Sequence, residues 1–179
     1  AEYFRYKRSN LRSVVMDAYN RLAEKNDVVV IEGAGSPAEI NLKSEDIVNM
    51  GMAEMANSPV ILVGDIDRGG VFASIYGTIA LLEDDERRRI RGIVINKFRG
   101  DKELLRPGVQ MLEDLVNVPV LGVVPFLKVD IDDEDSIAEK LERRSSDRAL
   151  DVAVIRLPRI SNFTDFNALA RCEYVGLRY

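Results

Sequence analysis

The segment Ile31-Glu32-Gly33-Ala34-Gly35-Ser36-Pro37 places an acid at the end of an apolar run and follows it with two closely spaced glycines. A carboxylate there suits a hard cation such as Mg2+, which takes oxygen ligands, and glycines let phosphates approach the backbone. On this reading Glu32 is the metal ligand, and Gly33 and Gly35 belong to the nucleotide site. Two other readings compete. Residues Gly33 to Ala38 also satisfy the dinucleotide pattern G-x-G-x-x-A, which points to an NAD-dependent oxidoreductase. That pattern calls for an acid about 20 residues further on, at the end of the next strand. Here the next strand ends at Asp65, too far along. A tight turn with no ligand is the other reading of the glycines, weaker than phosphate or metal binding.

Val63-Gly64-Asp65-Ile66-Asp67-Arg68-Gly69-Gly70 brings two acids and a guanidinium to a second strand end, just ahead of a helix. Such a set offers metal-binding or general-base oxygens beside an anion-attracting helix terminus and a bidentate cation. Asp65, Asp67 and Arg68 are therefore candidate catalytic residues. The plainer alternative has Asp67 capping the helix and pairing with Arg68 in solvent. Asp46 is another candidate active-site acid, although its place before the helix at Ile47 favours a first-turn capping role. At a third strand end, Asn96 and Lys97 can read an adenine edge and flank a phosphate. The same residues could form a surface loop held by an Arg99–Asp101 pair. Pro125 ends the following strand and fixes a loop wall.

Some chemistry is excluded within this sequence. It has no histidine, so no Ser-His or Cys-His pair can be completed. Cys172 lacks the flanking glycines of a nucleophile elbow and reads as a partly buried, inert thiol. No G-x-x-x-x-G-K-[ST] phosphate loop occurs, so a Mg2+–nucleotide site needs its phosphate cradle upstream.

The elements that must position these residues follow from hydrophobic periodicity. Residues 9–26 carry Leu11, Val14, Val15, Ala18 and Leu22 at helical spacing. β-branched runs at Val28–Ile31, Val60–Val63, Ile93–Ile95, Val120–Val124 and Val152–Ile155 predict buried strands. Between them lie helical patterns at Ile47–Ala56, Val71–Leu82, and Leu104–Val116, the last interrupted by Pro107-Gly108. Strand starts fall roughly 30 residues apart, the size of a βαβ unit. The expected fold is α/β, with a mainly parallel, doubly wound sheet. Ligands of such sheets sit beyond the carboxyl ends of the strands, where the polar motifs cluster.

Composition narrows the partners. The 179 residues are 46% hydrophobic with a net charge of −5. Their 25 basic residues gather in no block that would address nucleic acid or an anionic membrane. The longest apolar run, Val118 to Leu127, is short and holds two prolines; the first ten residues contain no signal-like apolar stretch. A single cysteine fits a reducing cytoplasm. Asp130 to Asp151 is dense in mixed charge and reads as a solvated linker. The start at Ala1 reads as an excised segment.

Taken in order, EGAGSPAEINL, DIVNMGMAE, PVILVGDIDRGGVFASIYGT, INKFRGD, PVLGVVPF and LPRISNFTDFNAL resemble the cobyric acid synthase family from about Asp27 to Leu169. The resemblance implies an ATP-binding domain of the P-loop NTPase-like, dethiobiotin synthetase-like type, joined to a glutamine amidotransferase domain. Residues 1–130 would be the later part of the synthetase domain, 131–150 a linker, and 151–179 the start of the glutaminase domain. The implied enzyme uses ATP and Mg2+ to convert peripheral carboxylates b, d, e and g of adenosylcobyrinic acid a,c-diamide to carboxamides. Ammonia would come from glutamine in the other domain. Glu32 matches the family's Mg2+-binding acid, and Asn96 the position near the adenine. Asp46, Asp65, Asp67 and Arg68 fall in segments that face the carboxylate, the metal or the γ-phosphate. Ser161 to Phe166 would belong to the domain interface or a substrate loop. A switch ATPase of the partition type shares the general fold and stands as another reading. A sheet lacking its first strands would expose an edge and apolar surface, so a homo-oligomer is a further expectation.

Overall fold

The computed structural model describes residues 11–43, 46–127, 148–157 and 163–179. They fall into two compact units, Ala1–Leu127 and Lys128–Tyr179. Most of the expected linker and the first residues of the Ser161 loop lie outside the described residues.

In the first unit, helix α1 (Arg12–Ala23) is followed by residues 24–43 and 46–49, which form turns and irregular chain with no α-helix or strand. Then come α2 (Met50–Met55), β1 (Val60–Asp65), α3 (Val71–Leu81), α4 (Asp84–Arg89), β2 (Ile90–Phe98), α5 (Lys102–Val116) and β3 (Val120–Pro125). The three strands form one sheet in the order β1-β2-β3, parallel throughout, as the βαβ spacing predicted. Central β2 buries Ile93 and Ile95 completely. It also runs longer than its Ile93–Ile95 core, because it finds ladder partners on both sides.

Val28–Ile31 departs from expectation. The run is no strand, and Val28 and Val30 are 76% and 89% exposed. β-branched residues suit a pleated surface, but a strand also needs a ladder partner, and no described strand pairs with this run. Helix α2 starts later than the Ile47 expected, because Asp46 draws the N–H groups of Val48 and Asn49 into a turn ahead of it. Helix α4 was not anticipated. Its DDERRR sequence has no apolar stripe, and it is held by a capping box between Glu83 and Glu86 with acids first and arginines last.

Helix α5 runs straight through Pro107-Gly108 rather than breaking there. Asp101 caps it by accepting from the Glu103 N–H at 2.9 Å. Leu105, Val109, Leu112 and Val116 form a stripe packed into the core, while Pro107 lies on the exposed side. Burying that stripe outweighs one missing i→i−4 bond. Helix α3 contributes Val71, Ile75 and Ile79 at fourfold spacing and touches both β1 and α5. Along β1 the pleat alternates: Val60 and Leu62 pack on the core, whereas Ile61 and Val63 are exposed.

The second unit pairs β4 (Leu150–Ala153) in parallel with β5 (Val175–Arg178), Leu150 opposite Val175. A 3-10 turn (Phe163–Phe166) and the short helix α6 (Asn167–Ala170) lie between them in the chain. The strand expected at Val152–Ile155 is shifted toward the N-terminus, and β5 was not anticipated. Arg178 Nε pairs with Asp151 at 3.0 Å, and Arg148 donates to the carbonyls of Cys172 and Val175. Cys172 is half-buried, with Sγ donating to the Ala168 carbonyl at 3.5 Å.

Leu112 is 2% exposed at the centre of the α5 contact. Leu112→Ala should lower stability by about 2–5 kcal/mol, read as a drop in the urea midpoint with little change in m-value.

Candidate functional site

Parallel pairing places the carboxyl ends of the three strands side by side. Asp65 lies opposite Asn96, and Phe98 opposite Pro125. The Ile66 N–H donates to the Asn96 carbonyl and the Phe126 N–H to that of Phe98, so the chain stays in register just past the sheet. Lys97 takes a left-handed conformation, φ 60°, and its N–H donates to the Asn96 Oδ1 at 2.8 Å. Its Nζ then reaches Asp65 Oδ2 at 2.7 Å. Asp65 Oδ1 also accepts from the Asp67 N–H at 2.9 Å. Asp67 pairs with Arg99 Nε at 2.7 Å, and the Arg99 guanidinium lies over the Phe126 ring, 3.4 Å from its centroid.

This cluster answers two of the open sequence readings. Arg99 pairs with Asp67, not with Asp101, which caps α5. Asp67 does not cap α3: the N-cap is Gly70 at φ 70°, with no side-chain cap. Arg68 is exposed and forms no ion pair among the described residues. The Lys97 ammonium, helped by the Asp67 N–H and least by Arg68, holds the Asp65 carboxyl below its ordinary value near 3.8, against a desolvation that opposes it.

The second cluster surrounds the glycine loop. Asp46 accepts three backbone N–H bonds: Val48 at 2.8 Å and Asn49 at 2.9 Å on Oδ1, and Gly51 at 2.9 Å on Oδ2. Asn49 in turn bonds the loop, its side-chain amide pairing with Ala34 and Ser36 across a sequence gap of 15 and 13 residues. Gly33 lies so close to Asn49 Oδ1 that a Cβ there would stand 2.2 Å from it. Gly35 has φ 67° and open space around it, so its need for glycine is conformational. A cavity of about 280 Å3 opens beside the loop, lined among others by Ser36, Pro37, Lys43, Asp46, Asn49 and Glu86. Lys43 spans its rim, 2.7 Å from Glu86 and 3.1 Å from Glu83, and Glu86 chiefly holds its ammonium above the ordinary lysine value. Glu32 is exposed, and among the described residues no group of three or more acids is placed to hold a metal.

The arrangement is a polar rim at the carboxyl end of a parallel sheet and, as a second cluster, a glycine loop clamped by Asn49 beside its own cavity. The AAA domain family matches residues 2–132. The chain belongs to that family. Among curated relatives it is 58% identical over 178 residues to the cobyric acid synthase of Ruminiclostridium cellulolyticum, covering 99% of this chain and 34% of that protein. It is 60% identical over 179 residues to the cobyric acid synthase of Citrobacter koseri, covering 99% and 35%. The corresponding protein of Thermoanaerobacter sp. is 59% identical over 179 residues, covering 100% and 35%. The chain thus spans about a third of the length of the curated relatives it matches. No solved structure matches it.

Within this AAA-domain chain, Asp65, Asp67, Asn96 and Lys97 come together as one bonded cluster. Gly33, Gly35 and Asp46 gather around the loop. Glu32 joins neither cluster through a hydrogen bond or ion pair among the described residues. Sequence reasoning missed Asn49, Lys43 and the Arg99–Phe126 stack. Their partners are distant in the chain, and the one local signal was an Asn at a helix start.

Because Asp65 titrates below its unfolded value, the stability it contributes is present above the unfolded pKa and is lost as the pH falls through the lower native one. Lys97→Met removes the main cause. The Asp65 pKa should rise toward the ordinary range and the acid-unfolding midpoint should move to higher pH, both readable by side-chain carboxyl NMR titration and acid denaturation.

Proposed function

We propose that this chain is part of an ATP- and glutamine-dependent amide ligase that converts peripheral carboxylates of a corrin, adenosylcobyrinic acid a,c-diamide, to carboxamides. The observation that carries this reading is 58–60% identity over 99–100% of the chain to proteins named cobyric acid synthase. None of those relatives carries the name of an oxidoreductase or a partition ATPase, so neither alternative gains support.

The reaction has two steps. A substrate carboxylate oxygen takes the γ-phosphoryl of ATP, releasing ADP and leaving an acyl phosphate. Ammonia then attacks the acyl carbon, the C–O bond to phosphate breaks, and a proton lost from nitrogen leaves a neutral carboxamide. Little covalent chemistry falls to the protein; positioning and charge stabilisation dominate.

The proposed roles follow the two clusters. Arg68, exposed beside Asp65, and Lys97, swung toward the strand ends by its left-handed backbone, would face the phosphoryl oxygens. Asp65 aims Lys97, and Arg99 holds Asp67. Asn96 engages the Lys97 N–H through Oδ1, which leaves its Nδ2 donor for an adenine edge. Gly33 and Gly35 shape the loop at which phosphates would approach. Asp46 serves the site through the turn it holds. Glu32, exposed ahead of that loop, fits Mg2+, which takes only one or two protein carboxylates and keeps waters and phosphate oxygens for the rest. When bound, the ion would neutralise phosphate charge. The second unit would open the glutaminase domain that supplies ammonia.

Glu32→Gln in the full-length enzyme should cut amide synthesis by roughly a hundredfold or more while glutamine hydrolysis stays measurable. Unchanged production of cobyric acid by that variant would remove the metal role of Glu32.

A further inference from the structure

We propose that Asn49 is the positioning residue of the glycine loop, clamping Gly33–Ser36 into the shape the Glu32 site requires; this rests on the amide-ligase reading above. Its side-chain amide makes three bonds to loop backbone. Oδ1 accepts from the Ala34 N–H at 3.1 Å, and Nδ2 donates to the Ala34 carbonyl at 2.8 Å and the Ser36 carbonyl at 3.3 Å. One planar group thus pairs with both backbone groups of Ala34, as a neighbouring strand would. A side chain needs a donor and an acceptor on one fork to do this; an amide has both at neutral pH, and a carboxyl has both only when protonated.

Two further observations show that the contact is built in from both sides. On the loop side, a Cβ on Gly33 would stand 2.2 Å from Asn49 Oδ1, so the approach requires glycine at that position. On the other side, Asn49 is itself fixed. Its N–H donates to Asp46 Oδ1 at 2.9 Å, the Gly51 N–H donates to Asp46 Oδ2 at 2.9 Å, and its backbone sits at φ −97°, ψ −105°. The order of control is Asp46 to Asn49 to the loop. Bonds from backbone N–H to a carboxylate are the stronger kind, which makes Asp46 a firm anchor. The clamp also draws the Ala34 and Ser36 carbonyl dipoles onto the amide, where they are neutralised rather than left to repel an incoming phosphate.

The test uses the full-length enzyme, with Asn49→Ala, Asn49→Asp and Glu32→Gln assayed in parallel for corrin amidation, glutamine hydrolysis and thermal unfolding. Asn49→Ala should lower kcat for amidation roughly a hundredfold, the scale of a misplaced site, with hydrolysis and unfolding temperature close to the parent. Asn49→Asp keeps the size but turns a second acceptor onto the two carbonyls. At neutral pH it should behave like the alanine variant. As the pH falls its amidation, relative to the parent at each pH, should climb, because the carboxyl gains a proton it can donate.

Full amidation by Asn49→Ala overturns the proposal, and so does an impaired Asn49→Asp whose ratio to the parent is flat with pH. If Asn49→Ala fails to fold, the pH ratio of Asn49→Asp decides alone. The Glu32→Gln arm separates the two readings. A normal Glu32→Gln beside an impaired, folded Asn49→Ala removes the metal role and leaves the clamp. An inactive Glu32→Gln beside a normal Asn49→Ala removes the clamp and leaves the metal role.

Discussion

Parallel pairing of β1 on β2, with Asp65 opposite Asn96, is the constraint on which the candidate site depends. Parallel strands point their carboxyl ends the same way, so every loop that follows a strand opens at one edge. The buried pair Ile93 and Ile95 sets which face of β2 meets the helices. A one-residue slip would turn those two outward and separate Lys97 from Asp65 together. Core burial and site assembly are therefore one requirement met by one register.

The polar contacts at that edge are half-exposed, and pairs of this kind contribute little to stability. Their effect is placement. Asp65 aims Lys97, Asp67 aims Arg99, and Phe126 gives the Arg99 plane a surface to lie on. Arg68 is exposed and has no such ion pair among the described residues. The glycine loop is handled differently: it belongs to no described strand, and side-chain bonds from Asn49 stand in for the ladder it lacks. Lys43 ties the next turn to Glu83 and Glu86 of the α4 capping box, so the cavity wall is fastened at two places.

Much of this was legible in the chain. Val60–Val63, Ile93–Ile95 and Val120–Val124 mark the three sheet strands because β-branched apolar runs suit a pleated ladder. Only central β2 is buried as such a run implies, while Ile61, Val63 and Leu121 on its neighbours are exposed. The helices over Val71–Leu81 and Lys102–Val116 follow from apolar spacing. Where the reading failed, the missing information was non-local. Val28–Ile31 has strand composition and no partner; Pro107 sits in a helix because the opposite face is buried; α4 exists through its caps rather than its core. Asp65 to Lys97 and Asp67 to Arg99 each span 32 residues, a distance no local pattern encodes.

The sequence by itself determined which groups the protein can bring to a ligand: acids, amides, a guanidinium and glycines, set at the ends of apolar runs. Residue type and local periodicity are properties of neighbours along the chain, so they could be read there. Only the tertiary structure decided which acid meets which cation. It also put Asn49, unremarkable in the sequence, against the loop. Those choices depend on strand register and on how closely two backbones approach, and both come from packing between segments far apart in the chain.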